Sequence, residues 1–272
     1  MFIDSHCHLN FPELTNNLSA IREAMAAAKV DRALVISTRL ESFPDVHRLA
    51  TDHANFWCTV GVHPDEEEAQ EPTLGDLISL AALPKVLGIG ETGLDYYRLG
   101  ERSVADMAWQ RDRFRVHIQA AQQTRLPLVI HTRSASDDTL AILKEQGEDG
   151  SPHSAGGVFH CFTETLAVAR AALDLGFFIS FSGILTFKSA EDLRNVVRFV
   201  PLDRMLIETD SPYLAPTPYR GKVNNPSYVP WVAKQIAELK QLSVEEVAAA
   251  TSGNTELLFR MPKLTRSNSK QL

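Results

Sequence analysis

Short aliphatic and β-branched runs alternate with helix-patterned segments from one end of the chain to the other, and this alternation restricts the fold more than any other feature. Candidate strands run Phe2 to Cys7, Arg32 to Ile36, Phe56 to Val60, Val86 to Ile89, Leu128 to Ile130, Gly157 to Phe159, Phe177 to Phe181 and Met205 to Ile207. Helical stretches lie between them, such as Leu18 to Ala28, Val104 to Gln123, Ser136 to Glu145, Leu166 to Leu175 and Ala190 to Phe199. Eight strand-plus-helix units in 272 residues average about 34 residues each, which suits a (β/α)8 TIM barrel of roughly 250 residues. The rival is an open, doubly wound α/β sheet. That fold places a ligand at one topological switch point, whereas a barrel gathers residues from many strand ends at one face. No internal repeat, low-complexity tract or long linker divides the chain, so one domain over 1–260 is expected, followed by a loose polar tail at 261–272.

Composition narrows the class. The chain holds 27 Lys and Arg against 34 Asp and Glu, a formal charge of −7, which excludes a basic nucleic-acid coat. The longest apolar runs, such as 32–36 and 126–130, are far short of the ~18 residues a membrane helix needs. The N-terminus shows no signal-peptide pattern, and Cys7, Cys58 and Cys161 are odd in number and widely spaced. A cytoplasmic protein without a disulfide framework is expected.

Metal-competent side chains collect at predicted strand ends. His6 and His8 close the first strand and project to one side because strand side chains alternate, while Cys7 points away. Glu91 directly follows the apolar fourth strand beside two glycines, a position where a carboxylate costs free energy unless it is paired or coordinates a cation. His131, His160 and Asp210 follow the fifth, sixth and eighth strands. His47, His53 and His117 fall within helical patterns and His153 within a loop, so they are set aside. Asp95 reads as a turn residue. Four imidazoles and two carboxylates suffice for two divalent cations sharing a bridging group, a device suited to hydrolysis. Nitrogen-rich ligation favours zinc, manganese, cobalt or nickel over magnesium.

Taken together, Asp4-Ser-His-Cys-His8, Gly61-Val-His-Pro64, Gly90-Glu-Thr-Gly-Leu-Asp-Tyr-Tyr97, His131-Thr-Arg133, His160-Cys-Phe-Thr163, Ser180-Phe-Ser-Gly183, Glu208-Thr-Asp-Ser-Pro-Tyr-Leu214 and Arg220-Gly-Lys-x-Asn224-x-Pro226 resemble the TatD family of metal-dependent deoxyribonucleases, and its YcfH-like branch more closely. The resemblance implies a barrel of the metal-dependent hydrolase superfamily. It implies His6 and His8 on one metal, His131 and His160 on the other, Glu91 bridging, and Asp210 at the first metal. Glu91 stands where many relatives in the wider superfamily use a carboxylated lysine, and Lys85 lies at the wrong end of its strand. A metal-activated water attacking phosphorus in line is then expected, with Glu91 and Asp210 as the catalytic carboxylates and Asp210 accepting or orienting the proton.

His63, after the third strand, and Arg133 are expected to contact phosphate or the leaving oxygen, since arginine suits bidentate phosphate recognition. Tyr96, Tyr97 and Phe162 stand as possible base-stacking or packing residues, and Arg220 and Lys222 as backbone-steering charges. The expected partners are DNA ends, most naturally single-stranded, or a small phosphodiester, with no membrane and no obligate protein partner. The negative charge opposes a long duplex footprint but suits a pocket enzyme in which bound cations supply positive charge. Two other readings remain: a bimetal hydrolase of a small ester, lactone or amide, and a non-catalytic binding protein on the same barrel.

Overall fold

The computed structural model describes residues 1–263. Among them, parallel strands stand side by side in chain order: β1 (Phe2–Cys7), β2 (Val30–Val35), β3 (Phe56–Val60), β4 (Val86–Asp95), β5 (Leu128–Arg133), β6 (Gly157–Phe159), β7 (Phe178–Phe181) and β8 (Met205–Ile207). A bridge between Cys7 and Ser211 brings the last strand back to the first, and the Asp210 N–H donates to the His6 carbonyl at 3.0 Å. The fold is therefore the TIM barrel and not the open doubly wound sheet. The helices are α1 (Pro12–Thr15), α2 (Leu18–Ala27), α3 (Phe43–Asp52), α4 (Leu74–Ala81), α5 (Ala108–Thr124), α6 (Ser136–Glu145), α7 (Leu166–Asp174), α8 (Glu191–Phe199), α9 (Val229–Lys240) and α10 (Val244–Phe259). None is long and apolar enough to cross a membrane.

Strands such as β3 and β8 read as apolar runs because both faces are buried, and β1 is buried throughout although Asp4, Ser5 and His6 interrupt it. One apolar cluster inside the barrel takes Ile3, Leu34, Trp57, Val129, Val158, Phe178 and Leu206 from seven strands and packs them on Phe259 and Met261. The barrel is thus filled below the site, with each fully buried large side chain contributing about 1.5–3 kcal/mol. Helix α10 reaches this position after a Ser243–Glu246 capping box at its N-terminus. Met261, where the loose tail was expected to begin, is buried, and residues 264–272 of that stretch lie outside the described ones.

Two strands run further than their apolar runs. β4 continues from Ile89 to Asp95 and β5 from Ile130 to Arg133, because Thr92–Asp95 pair with Ile130–Arg133 although they are polar or glycine-broken. Register slips between Asp4 and Cys7 in β1 and between Ile89 and Thr92 in β4, so both strands are irregular at His6 and Glu91. An irregularity of this kind re-aims side chains, and both of these turn to the barrel centre. Glycine permits the tight packing there: a Cβ on Gly61 would lie 2.6 Å from the Gly90 Cα, and one on Gly93 1.9 Å from the His131 carbonyl oxygen.

Helix α5 puts polar residues on its buried face at Gln110, Arg113 and His117, a helical repeat that serves the loops above β3 and β4. The Gln110 side chain accepts from the Asp95 N–H and donates to the Pro64 carbonyl; Arg113 donates to the His63 carbonyl. His117 accepts from the Val62 N–H at 3.0 Å through Nε2 and donates through Nδ1 to the Arg113 carbonyl at 2.8 Å. It is a structural histidine, fully out of water. Burial pushes it down from 6.5 to about 4, so the folded ring stays neutral while the unfolded one takes up a proton. Stability from this group is whole above pH 6.5 and falls as pH drops through the window from 6.5 to about 4, by roughly 3 kcal/mol in all. Urea denaturation at pH 7 and pH 5 should show a smaller acid-side loss in His117→Gln than in the wild type; equal losses would exclude this role.

Candidate active site

The C-terminal rim of the barrel opens into a pocket of about 700 Å³ lined by residues that include His8, His63, Glu91, His131, Arg133, His160 and Asp210. At its base lies Glu91, 2% exposed, with its two oxygens facing different groups of imidazoles. Oε2 lies 3.2 Å from His6 Nε2 and 3.8 Å from His8 Nε2. Oε1 lies 2.7 Å from His160 Nε2 and 3.3 Å from His131 Nδ1. Asp210 Oδ1 stands 3.6 Å from His6 Nε2 and 3.4 Å from His8 Nε2. The six side chains singled out as metal-competent therefore converge, although they come from five strand ends. Lys85 does not: its ammonium donates to the His53, Ala54 and Phe56 carbonyls at the opposite end of the barrel.

Each ring's outer partner fixes which nitrogen faces inward. His131 donates through Nε2 to Asp95 Oδ2 at 3.0 Å, which turns the Nδ1 lone pair toward Glu91. His160 donates through Nδ1 to Glu208 Oε1 at 3.2 Å, which turns the Nε2 lone pair the same way. His63 is the reverse case. Its Nδ1 accepts from the Asp65 N–H at 3.0 Å, so its Nε2 carries the proton and presents a donor 3.3 Å from Glu91 Oε1. It sits as near to Glu91 as His131 does, and the three form one group of close donor atoms, but in this tautomer His63 offers a hydrogen-bond donor where His131 offers a lone pair.

Burial pushes Glu91 up, but the His160, His63 and His6 imidazoles outweigh it and hold the carboxyl well below its usual range. Burial pushes His131 and His160 down, and their carboxylate partners outweigh it: His131 rises to about 8 through Asp95 and Glu91, and His160 rises further through Glu91 and Glu208. His6, with His160 stacked on it at 3.9 Å, is held low by burial and that neighbour. Behind the site, Asp4 accepts from the Thr209 N–H and hydroxyl across the β8–β1 junction. Its own carboxyl is pushed up to about 8 by burial.

The donor set fits a divalent cation. His160 Nε2, a buried atom with no hydrogen-bond partner, and Glu91 Oε1 bring two acceptors face to face at 2.7 Å, which is unfavourable unless a proton or cation lies between them. On the other side, the Nε2 atoms of His6 and His8, 3.3 Å apart, join Glu91 Oε2 and Asp210 Oδ1 with separations of 3.2–3.8 Å. His6, His8 and Glu91 are close enough together for one cation to reach all three.

Asp95 corrects the turn reading. It ends β4, is 3% exposed and holds His131. Glu208 was also missed as a site residue; the alternation Glu208-Thr-Asp210 beyond an apolar strand was the available signal. Tyr96 is turned out of the pocket by its hydrogen bond to Asp138, and Phe162 packs against Phe181. The Arg220 guanidinium lies over the Phe187 ring, outside the pocket lining.

A family model described as TatD related DNase matches residues 3–260. The chain is 44% identical over 263 residues to a protein of Escherichia coli (strain K12) named uncharacterized metal-dependent hydrolase YcfH, covering 95% of this chain and 96% of that one. It is 34% identical over 239 residues to a Citrobacter rodentium protein named 3'-5' ssDNA/RNA exonuclease TatD, covering 86% and 88%. The crystal structure of the TatD homologue YjjV from Escherichia coli K12 superposes with a TM-score of 0.85 at 28% identity, covering 96% of this chain and 98% of that one.

Because Asp95, Glu208 and Glu91 raise His131 and His160, a proton taken up on either inward nitrogen must leave before that lone pair can bind a divalent metal, so binding should release protons. Apparent affinity should then fall as pH drops below about 8, the level to which His131 is raised. Calorimetry in buffers of different ionisation enthalpy measures the release. Asp95→Asn, which weakens the grip on His131, should cost about 10–100-fold in metal affinity; unchanged affinity would exclude that role for Asp95.

Proposed function

Because the chain belongs to the TatD-related DNase family of metal-dependent hydrolases, we propose that it is a phosphodiesterase of the exonuclease kind, removing nucleotides from single-stranded DNA ends. The observation that carries this reading is the division of Glu91, one oxygen toward His6 and His8 and the other toward His131 and His160. A carboxylate shared in this way suits two cations, with Glu91 bridging and Asp210 beside the first. The name of the Citrobacter relative supports the choice of substrate. We take the cations to be among zinc, manganese, magnesium, cobalt and nickel.

When bound, such cations supply polarisation of phosphoryl oxygens and acidification of a water. The protein groups do the rest. Asp210, held low because His8 and His6 outweigh the effect of its burial, is ionised and accepts the proton of the attacking water. The His63 Nε2–H donates to an oxygen that gains charge as the phosphorus–oxygen bond breaks. Arg133, on the pocket wall, holds an oxygen pair of a phosphate in the substrate strand through its planar fork. The acidic total charge of −7 fits a pocket that takes a few nucleotides and opposes a long duplex footprint.

Asp210→Asn should lower kcat on end-labelled single-stranded DNA by about 10²–10⁴-fold with thermal stability preserved. Glu91→Gln should lose turnover together with bound metal. The deciding assay compares that DNA with small esters, lactones and amides across the five cations. Ester turnover without DNA degradation, or wild-type rates in Asp210→Asn, would overturn the proposal.

A further inference from the structure

The strand order gives the pocket a direction. In a closed eight-stranded barrel β1 stands across from β5, and β8 across from β4. Phe11 follows β1 and Tyr213 follows β8; both line the pocket beside His8 and Asp210. Arg98 follows β4 and Arg133 ends β5, so the arginines line the opposite wall. Asp65 and Glu66, after β3, line the pocket between them, with the Glu66 carboxylate paired with Arg39 and Asp65 left as the acidic group.

The aromatic wall is held in place. The Phe11 ring stacks on the His8 ring, with centroids 5.0 Å apart and planes 21° apart, and Tyr213 meets Phe11 edge-on at 6.2 Å. Tyr213 is 55% exposed, yet its backbone is tethered twice. Its N–H donates to the Asp210 carbonyl at 3.1 Å, and its carbonyl accepts from Asn224 Nδ2 at 2.6 Å. The same Asn224 amide, fully buried, donates to the Thr209 carbonyl at 2.8 Å. This uses the Asn224 of the Arg220–Pro226 motif and ties an open aromatic face to the loop that carries Asp210. On the other wall, the Arg133 guanidinium lies 3.6 Å over the Tyr97 ring. A guanidinium stacked in this way keeps its edge N–H groups for an anion.

Resting on the exonuclease reading, we infer that the pocket takes a phosphodiester flanked by two different groups. A flat base lies against Tyr213 and Phe11, and a second phosphate meets Arg133. The substrate is then the last nucleotide of a strand, gripped by the plane of its base and by the phosphate that follows. Asp65 repels the rest of the chain toward the arginine side, while the Glu66 carboxylate is paired with Arg39. Stacking uses the face that every base presents, so the grip is indifferent to base identity.

The test measures kcat/KM for removal of the end nucleotide from oligodeoxynucleotides that carry either a base or an abasic tetrahydrofuran residue at the attacked end. The wild type should prefer the base-bearing end by about tenfold or more, and Tyr213→Ala should bring that ratio close to one while Tyr213→Trp keeps it. Arg133→Gln should raise KM for an oligonucleotide more than for a dinucleoside monophosphate, which lacks the second phosphate. A ratio near one in the wild type, or one undiminished in Tyr213→Ala, would overturn this inference and leave the exonuclease reading standing. Failure of the wild type on every nucleic acid would remove both.

Discussion

An ionised carboxylate almost wholly out of water is the constraint around which the rim of this barrel is built. Removing Glu91 from solvent costs several kcal/mol, and the surrounding imidazoles offset that cost only if each is itself held in the right orientation. Asp95 and Glu208 do that holding, so the site is a set of carboxylate–imidazole pairs that converge on one shared anion. The same outer partners distinguish the roles of similar side chains. His131 and His160 turn lone pairs inward, whereas His63, fixed from behind by a backbone N–H, turns a donor inward.

The backbone makes this convergence possible by departing from regularity at the rim. The register slips in β1 and β4 fall at His6 and Glu91, and glycines at 61 and 93 let neighbouring chains approach where any side chain would collide. Asp210 adopts a left-handed backbone, φ +54°, in the turn after β8 and is held there by the His6 carbonyl. A packed floor of aliphatic and aromatic side chains underlies these irregularities and gives them a rigid base.

The alternation of apolar runs and helical segments made the barrel legible, and strand-end positions marked His6, His8, Glu91, His131, His160 and Asp210 as a group. The supporting residues were hidden for physical reasons. Asp95 lies past two glycines that mask the continuation of β4, a continuation that exists only because β5 supplies Ile130–Arg133 as its partner. Glu208 faces His160 across 48 residues of sequence, and nothing local distinguishes it from a solvated strand end. The polar face of α5 looks like ordinary helix surface until the loops it serves are folded onto it. Tyr96 likewise appears eligible for the pocket until Asp138, 42 residues on, takes its hydroxyl.

The joint between β8 and β1 ties completion of the site to completion of the barrel. His6 and His8 stand at the end of β1 and Asp210 follows β8, so these donors meet only when the last strand docks against the first. A barrel left open at this joint therefore holds some of the donors without the carboxylate that finishes the set. The donor set is whole only once the two ends of the sheet are joined, so capture of a cation there would report closure of the barrel.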